Sequence, residues 1–176
     1  WVADGLDIDS SHRVRVVNSH IRAMDDAIAL KTTSPRACKD ITIENCKLSS
    51  TGNAFKLGTE STGNFENIVL KNCTLYDTKL AGIAIMTVDG GTIKNVRVSN
   101  VTMRDVKCPI FLRLGNRARH YLSRKRGSKR PVRALPEGVS LDQRPGVGAL
   151  RDVVIRDIKA TGAGIDAGKL GADGAS

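Results

Sequence analysis

Asp4 is followed 21 and 22 residues later by the adjacent pair Asp25 and Asp26. If the fold brings these three carboxylates together, they cannot all stay ionised comfortably. At least one pKa is then expected to rise, so that a proton is held near neutrality. Hydrolysis of a glycosidic bond needs this division of labour: a protonated carboxyl protonates the leaving oxygen, and an ionised one activates water or attacks the sugar. The same residues would also suit a cation site, or a solvated turn that opens a strand. The acid–base reading calls for no cofactor and no metal.

A repeat supplies the juxtaposition. Five-residue runs with alternating side chains start at Gly5 (GLDID), Ala27 (AIALK), Ala54 (AFKLG), Gly82 (GIAIM) and Pro109 (PIFLR), in steps of 22, 27, 28 and 27 residues. A second series starts at Val14, Ile41, Ile68, Val96 and Val153, with steps of 27, 27, 28 and then 57. Short β-branched strands at this period, with no helix-length amphipathic segment between them, predict a solenoid of stacked coils whose rungs lie about 4.8 Å apart.

Stacking turns the repeats into columns. Leu6, Ile28, Phe55, Ile83 and Ile110 form one interior column, and Ile8, Leu30, Leu57, Ile85 and Leu112 another. The second series contributes Val14, Ile41, Ile68, Val96 and Val153, beside Val16, Ile43, Leu70, Val98 and Ile155. Asn18, Asn45, Asn72, Asn100 and Asp157 form a polar ladder at a turn. Just before the first series, Asp4 lies over Asp26, Asn53, Ala81 and Cys108, flanked by Ala3, Asp25, Gly52, Leu80 and Lys107. Three carboxylates therefore meet on two adjacent rungs. The outward columns beside them are expected to floor a cleft: Asp7, Ala29, Lys56, Ala84, Phe111 and Asp9, Lys31, Gly58, Met86, Arg113.

The chain has 176 residues and a net charge of +10, with aromatics at 3%, too few for base-stacking platforms. Of that charge, +7 lies between Arg117 and Arg144, a non-periodic interval where the second series doubles its spacing. The charge is thus expected on an inserted loop, and nucleic acid is not the expected partner. No apolar run approaches 18 residues, so no membrane span is expected. The four cysteines lack the spacing of a metal knuckle and are expected as small buried residues.

The motifs Val2-Ala3-Asp4-Gly5 and Asp25-Asp26 resemble Asn-Thr-Asp-Gly and Asp-Asp of glycoside hydrolase family 28, the polygalacturonases and relatives. The resemblance runs from about Ala3 to Gly115 and resumes in GVGALRDVVIRDIKATGAG. It implies a right-handed parallel β-helix in which Asp25 is the general acid, and Asp4 with Asp26 positions and activates water, inverting the anomeric centre. The family's Gly-His-Gly and Arg-Ile-Lys are replaced by Gly52-Asn53-Ala54 and Ala84-Ile85-Met86. These departures imply a different sugar at the cleavage site, rhamnogalacturonan among the candidates. Asn53, Lys31, Lys56, Glu60 and Arg113 are the candidate substrate contacts.

The expectation is an all-β, right-handed parallel β-helix with coils of about 22–28 residues, truncated at both ends. Coils are expected over residues 1–116, a basic inserted loop over 117–147, a further coil over 148–160 and a disordered Gly/Ala-rich tail over 161–176. The expected activity is hydrolysis of a pectin-type polysaccharide by a monomer. For the full-length protein a secreted or periplasmic location is favoured, although no signal segment is visible here. Three alternatives remain: a polysaccharide lyase, which would need calcium and a basic proton abstractor; a non-catalytic glycan-binding or structural β-helix; and a nucleic-acid binder with steep salt dependence.

Overall fold

The computed structural model describes residues 2–117 and 146–164. Its strands are β1 Leu6–Asp9, β2 His12–Val17, β3 His20–Ala23, β4 Ile28–Thr32, β5 Cys38–Glu44, β6 Lys47–Ser50, β7 Phe55–Ser61, β8 Phe65–Thr87, β9 Thr92–Leu114 and β10 Ala149–Thr161. Every pairing is parallel, and the chain winds as a right-handed β-helix. Most of the basic interval and the Gly/Ala-rich tail lie outside the described residues. Among the described residues no helix is long and apolar enough to cross a membrane.

Three faces enclose the core. The first stacks β1, β4, β7 and the C-terminal parts of β8 and β9, in the register Leu6–Ile28–Phe55–Ile83–Ile110. The second stacks β2, β5 and the N-terminal parts of β8, β9 and β10, in the register Val14–Ile41–Ile68–Val96–Val153. β3, β6 and the remaining parts of β8, β9 and β10 make the third, through His20–Lys47–Thr74–Thr102–Lys159. The expected columns are thus the observed ones.

Ile28, Phe55, Leu57, Ile68, Leu70 and Ile83 are fully buried. Each such side chain stabilises the fold by roughly 1.5–3 kcal/mol. Ile110 and Leu112 depart from the interior expectation at 39% and 52% exposed. They belong to the last rung of the first face, and no described rung covers them.

The corners turn by left-handed residues. Asn18, Asn45, Asn72, Asn100 and Asp157 all have φ between 52° and 57°, the region that Asn and Asp enter most readily among non-glycine residues. Asn45 Nδ2 donates to Asn18 Oδ1 and Asn100 Nδ2 to Asn72 Oδ1, tying rung to rung. A second ladder, absent from the expectations above, runs through Asp40, Asn67, Asn95 and Asp152 at the other end of the second face. Asn67 Nδ2 donates to Asp40 Oδ1 and Asn95 Nδ2 to Asn67 Oδ1, both at 2.7 Å.

Two irregularities shape the first face. Between β4 and β7, Leu30 pairs with Leu57 but Thr32 with Ser61, so β7 carries two extra residues there. Between β8 and β9 the register shifts from Thr78 to Ala81, and Leu80 is left half exposed beside the carboxylates' column.

Candidate active site

The carboxylates sit at the corner where the third face turns into the first. Backbone bonds set this corner: the Gly5 N–H donates to Asp26 O, Asp25 N–H to Ala3 O, Ala27 N–H to Asn53 O and Ala54 N–H to Ala81 O. Side chains continue the pattern. Asp4 Oδ1 accepts the Asp26 N–H, Asp26 Oδ1 accepts the Asn53 N–H, and Asn53 Oδ1 accepts the Ala81 N–H, at 2.9, 2.9 and 3.1 Å. Each short polar side chain thus satisfies a backbone donor one rung further on, where an unpaired buried N–H would be costly.

One oxygen from each of Asp4, Asp25 and Asp26 lies within 4.8 Å of the others. Asp26 is buried, Asp4 half-buried and Asp25 exposed. Gly52 makes room: a Cβ there would lie 2.7 Å from Asp25 Oδ1 and 2.9 Å from Asp26 Oδ1.

Two lysines compensate two of the three charges. Lys31 Nζ donates to Asp4 Oδ2 and also meets Asp7 Oδ1, each at 2.7 Å. Lys56 Nζ donates to Asp26 Oδ2 at 2.7 Å, and Asn53 Nδ2 donates to Asp26 Oδ1 at the same distance. Both oxygens of Asp4 and of Asp26 are therefore hydrogen-bonded. The Asp25 carboxylate has no hydrogen-bond or ion-pair partner among the described residues.

This pairing changes the expected electrostatics. Burial works to raise the Asp4 pKa, but hydrogen bonds from Lys31 and the Asp26 N–H outweigh it, and the carboxyl titrates below its ordinary 3.8. Beside the trio, Asp7 is raised by burial and by the neighbouring Asp4 charge, against the pull of Lys31. Lys31 is held protonated, because its hydrogen bonds to Asp4 and Asp7 outweigh its own desolvation. With two of the three carboxylates already neutralised by ammonium groups, the donor set suits water and a proton better than a divalent cation, which wants the full carboxylate charge.

Of the candidate contacts, Asn53, Lys31 and Lys56 join the carboxylates, whereas Glu60 and Arg113 do not. Glu60 lies in the two-residue bulge of β7 and faces Arg117, 3.8 Å away. Arg113, paired in register with Met86, is exposed on the last rung of the first face.

Two features were not anticipated. Buried Asp89 accepts from Arg117 Nε at 2.8 Å and from Arg117 Nη2, and also takes the Ser61 N–H. Ser61, Asp89 and Arg117 are spaced 28 residues apart, so the coil period itself was the signal. The other is a cavity of about 380 Å³ beside the carboxylates, lined by Asn53, Lys56, Leu80, Ala81, Met86, Lys107, Cys108 and Phe111. Its walls come from the expected columns, with Leu80 on the rung after Gly52.

The family model for glycosyl hydrolases family 28 matches residues 2–130. The chain is 28% identical over 109 residues to a polygalacturonase of Cochliobolus carbonum, a match covering 58% of this chain and 28% of that protein. It is 31% identical over 118 residues to a polygalacturonase of Medicago sativa, covering 62% and 26%. It is 33% identical over 108 residues to a probable endo-xylogalacturonan hydrolase A of Neosartorya fischeri, covering 57% and 26%. The chain thus spans about a quarter of the length of the curated relatives it matches. No solved structure matches it. With its parallel solenoid, its carboxylates on adjacent rungs and a family match over most of its length, the chain belongs to the glycosyl hydrolases of family 28.

Proposed function

We propose that this chain carries the catalytic carboxylates of a hydrolase that cleaves glycosidic bonds in a pectin-type polysaccharide. The observation that carries the proposal is the asymmetry within the trio: Asp4 and Asp26 have both oxygens engaged, and Asp25 has neither. Asp25 is the general acid that protonates the leaving oxygen. Asp4 and Asp26, held in place by Lys31 and Lys56, orient the attacking water and take up its proton. The names of the relatives, polygalacturonase and probable endo-xylogalacturonan hydrolase A, support a galacturonan-containing substrate. Asn53, Lys31 and Lys56 are the polar groups nearest the scissile bond, and Glu60 and Arg113 lie further along the face.

Inversion follows from the same asymmetry, because a carboxylate with both oxygens hydrogen-bonded is a poor nucleophile but still offers lone pairs to a water. Retention is the second reading. It is favoured by how closely the three carboxylates gather, one oxygen of each lying within 4.8 Å of the others.

The test is proton NMR of the first-formed anomer during digestion of polygalacturonate, xylogalacturonan and rhamnogalacturonan. Release of the anomer opposite to the cleaved linkage supports the proposal, and the same anomer establishes retention. An unsaturated product absorbing in the ultraviolet would instead identify a lyase.

A further inference from the structure

We propose that the outward surface of the third face is a second, non-catalytic docking surface for an acidic polysaccharide laid along the solenoid axis, with Tyr76 as its platform. The proposal does not depend on the hydrolytic reading above, because none of the residues on this surface contributes to the carboxylate corner.

Register fixes the surface. Two outward columns run the length of this face, His20–Lys47–Thr74–Thr102–Lys159 and Arg22–Ser49–Tyr76–Arg104–Thr161. Of these ten side chains four are Lys or Arg, one is His, four carry aliphatic hydroxyls and none is a carboxylate. The other two faces differ. The first carries Asp7 and Asp9 among its outward residues, and the second sets Glu44 against Arg15 and Lys71, and Glu66 against Lys94. On the third face Arg22, Lys47 and Lys159 have no ion pair among the described residues. Arg104 meets Asp105 at 3.5 Å with the two side chains 65% and 61% exposed, a pairing that contributes little. Five rungs at about 4.8 Å spread these cations over roughly 19 Å, the dimension of an extended polymer and not of a small anion.

Tyr76 organises the middle of it. Its Oη shares a 2.5 Å hydrogen bond with His20 Nε2, although the two residues stand two rungs apart. The ring therefore lies lengthwise along the face instead of standing up from it. Ser49, its small neighbour one rung away in the same column, points outward yet is only 4% exposed. The His20 ring is tilted 47° to the tyrosine, and the Arg104 guanidinium lies 5.9 Å from the tyrosine centroid, at the limit of cation–π reach. A flat, pinned ring between an imidazole and a guanidinium offers the apolar face of a sugar a surface and its carboxylate a cation.

Chemistry selects the partner. Cations repeated along the rungs match the carboxylates of a linear polyanion, and the interleaved hydroxyls of Thr74, Thr102 and Thr161 can exchange hydrogen bonds with sugar hydroxyls. A single-stranded nucleic acid would call for aromatic side chains under successive bases, and Tyr76 is the one Phe, Tyr or Trp in either column. Arg22 stands three residues before Asp25, so a polymer held on this face runs beside the carboxylate corner.

The test is lysine footprinting of the full-chain Asp25→Asn variant, with acetylation rates read by peptide mass mapping. Oligogalacturonate is the probe, a neutral galactan oligomer its uncharged control, and a single-stranded DNA of equal charge the rival polyanion. We expect saturating oligogalacturonate to slow acetylation of Lys47 and Lys159 by about tenfold, the factor that mass action gives at about ten times Kd. Lys94, exposed on the second face, should react at an unchanged rate, and the neutral oligomer should protect none of the three. Arg22→Glu combined with Arg104→Glu, both at exposed positions, should restore the unprotected rates. Unprotected Lys47 and Lys159, equal protection of Lys94, protection that survives the double variant, or stronger protection by the DNA would each overturn the docking surface. The readout needs no turnover. A wild-type chain that cleaves nothing would therefore leave this surface standing, and a chain that cleaves while Lys47 and Lys159 stay unprotected would remove the surface alone.

Discussion

Lys56 Nζ reaches across one rung to Asp26 Oδ2 at 2.7 Å, placing on the outward face of β7 the one cationic partner that a nearly fully buried carboxylate has among the described residues. Removing that partner strands the charge. Lys56→Met, which keeps the length of the stem, is expected to destabilise the chain by about 3 kcal/mol, as for breaking a buried pair. The urea midpoint should fall by roughly 1–2 M. A change within about 0.5 kcal/mol, as for a surface pair, would show that Asp26 is compensated elsewhere.

Gly52 should be intolerant for a geometric reason. An added methyl would meet Asp25 Oδ1 at 2.7 Å and Asp26 Oδ1 at 2.9 Å, as well as the Asp25 carbonyl carbon. Gly52→Ala is therefore expected to displace the carboxylates and lower kcat by about 10²-fold or more, as for other small misplacements of catalytic groups. Its thermal midpoint should drop only modestly, and a kcat within twofold of wild type would contradict the packing argument.

The acid side of the stability profile has a definite sign. Asp4 and Asp9 titrate below their ordinary 3.8: burial opposes this, but Lys31 and the Asp26 N–H overcome it at Asp4, and Thr33 with Ser10 at Asp9. Their contribution is complete above 3.8 and is lost as pH falls through the lowered values. Asp7, raised, acts in the opposite sense over the interval between its two values. Lys31, also raised, contributes fully below its ordinary 10.5 and loses that contribution only as pH rises through its folded value. Urea midpoints should therefore hold level through neutrality and fall below about pH 4. Asp9→Asn should make that fall shallower, and an unchanged acid slope would contradict the assignment.

Thiol chemistry offers a check on the cavity. Cys38, Cys46 and Cys73 are buried, and burial pushes the Cys38 and Cys73 thiols up to about 11, where little thiolate is present at neutral pH. Cys108 is half-buried and lines the cavity. Iodoacetamide at pH 8 should modify Cys108 first in the native chain, as read by peptide mass mapping. Equal labelling of all four thiols before denaturation would contradict the burial.

Much of this architecture was legible because a β-solenoid converts sequence period directly into spatial neighbours. Asp4 and Asp26 are 22 residues apart in the chain and joined by a 2.9 Å hydrogen bond. The same arithmetic predicted the apolar columns and the Asn18 ladder. Departures from strict register hid the rest. Two extra residues in β7 carry Glu60 away from the carboxylates toward Arg117. The expected rise in a pKa within the trio also depended on partners that column positions alone do not orient. Lys31 and Lys56 extend from neighbouring outward columns back over the carboxylates, and the Asp4 carboxyl goes down instead.

The central claim is that Asp25 supplies the proton to the leaving group, and one comparison tests it most directly: reducing-end release from pectic polysaccharides by wild type and by Asp25→Asn. An amide keeps the shape of the carboxyl but cannot deliver that proton. The account predicts that the variant keeps the wild-type circular dichroism and thermal midpoint while losing at least about 10²-fold in kcat, the scale of general acid catalysis. A folded Asp25→Asn chain that releases reducing ends at the wild-type rate would contradict it.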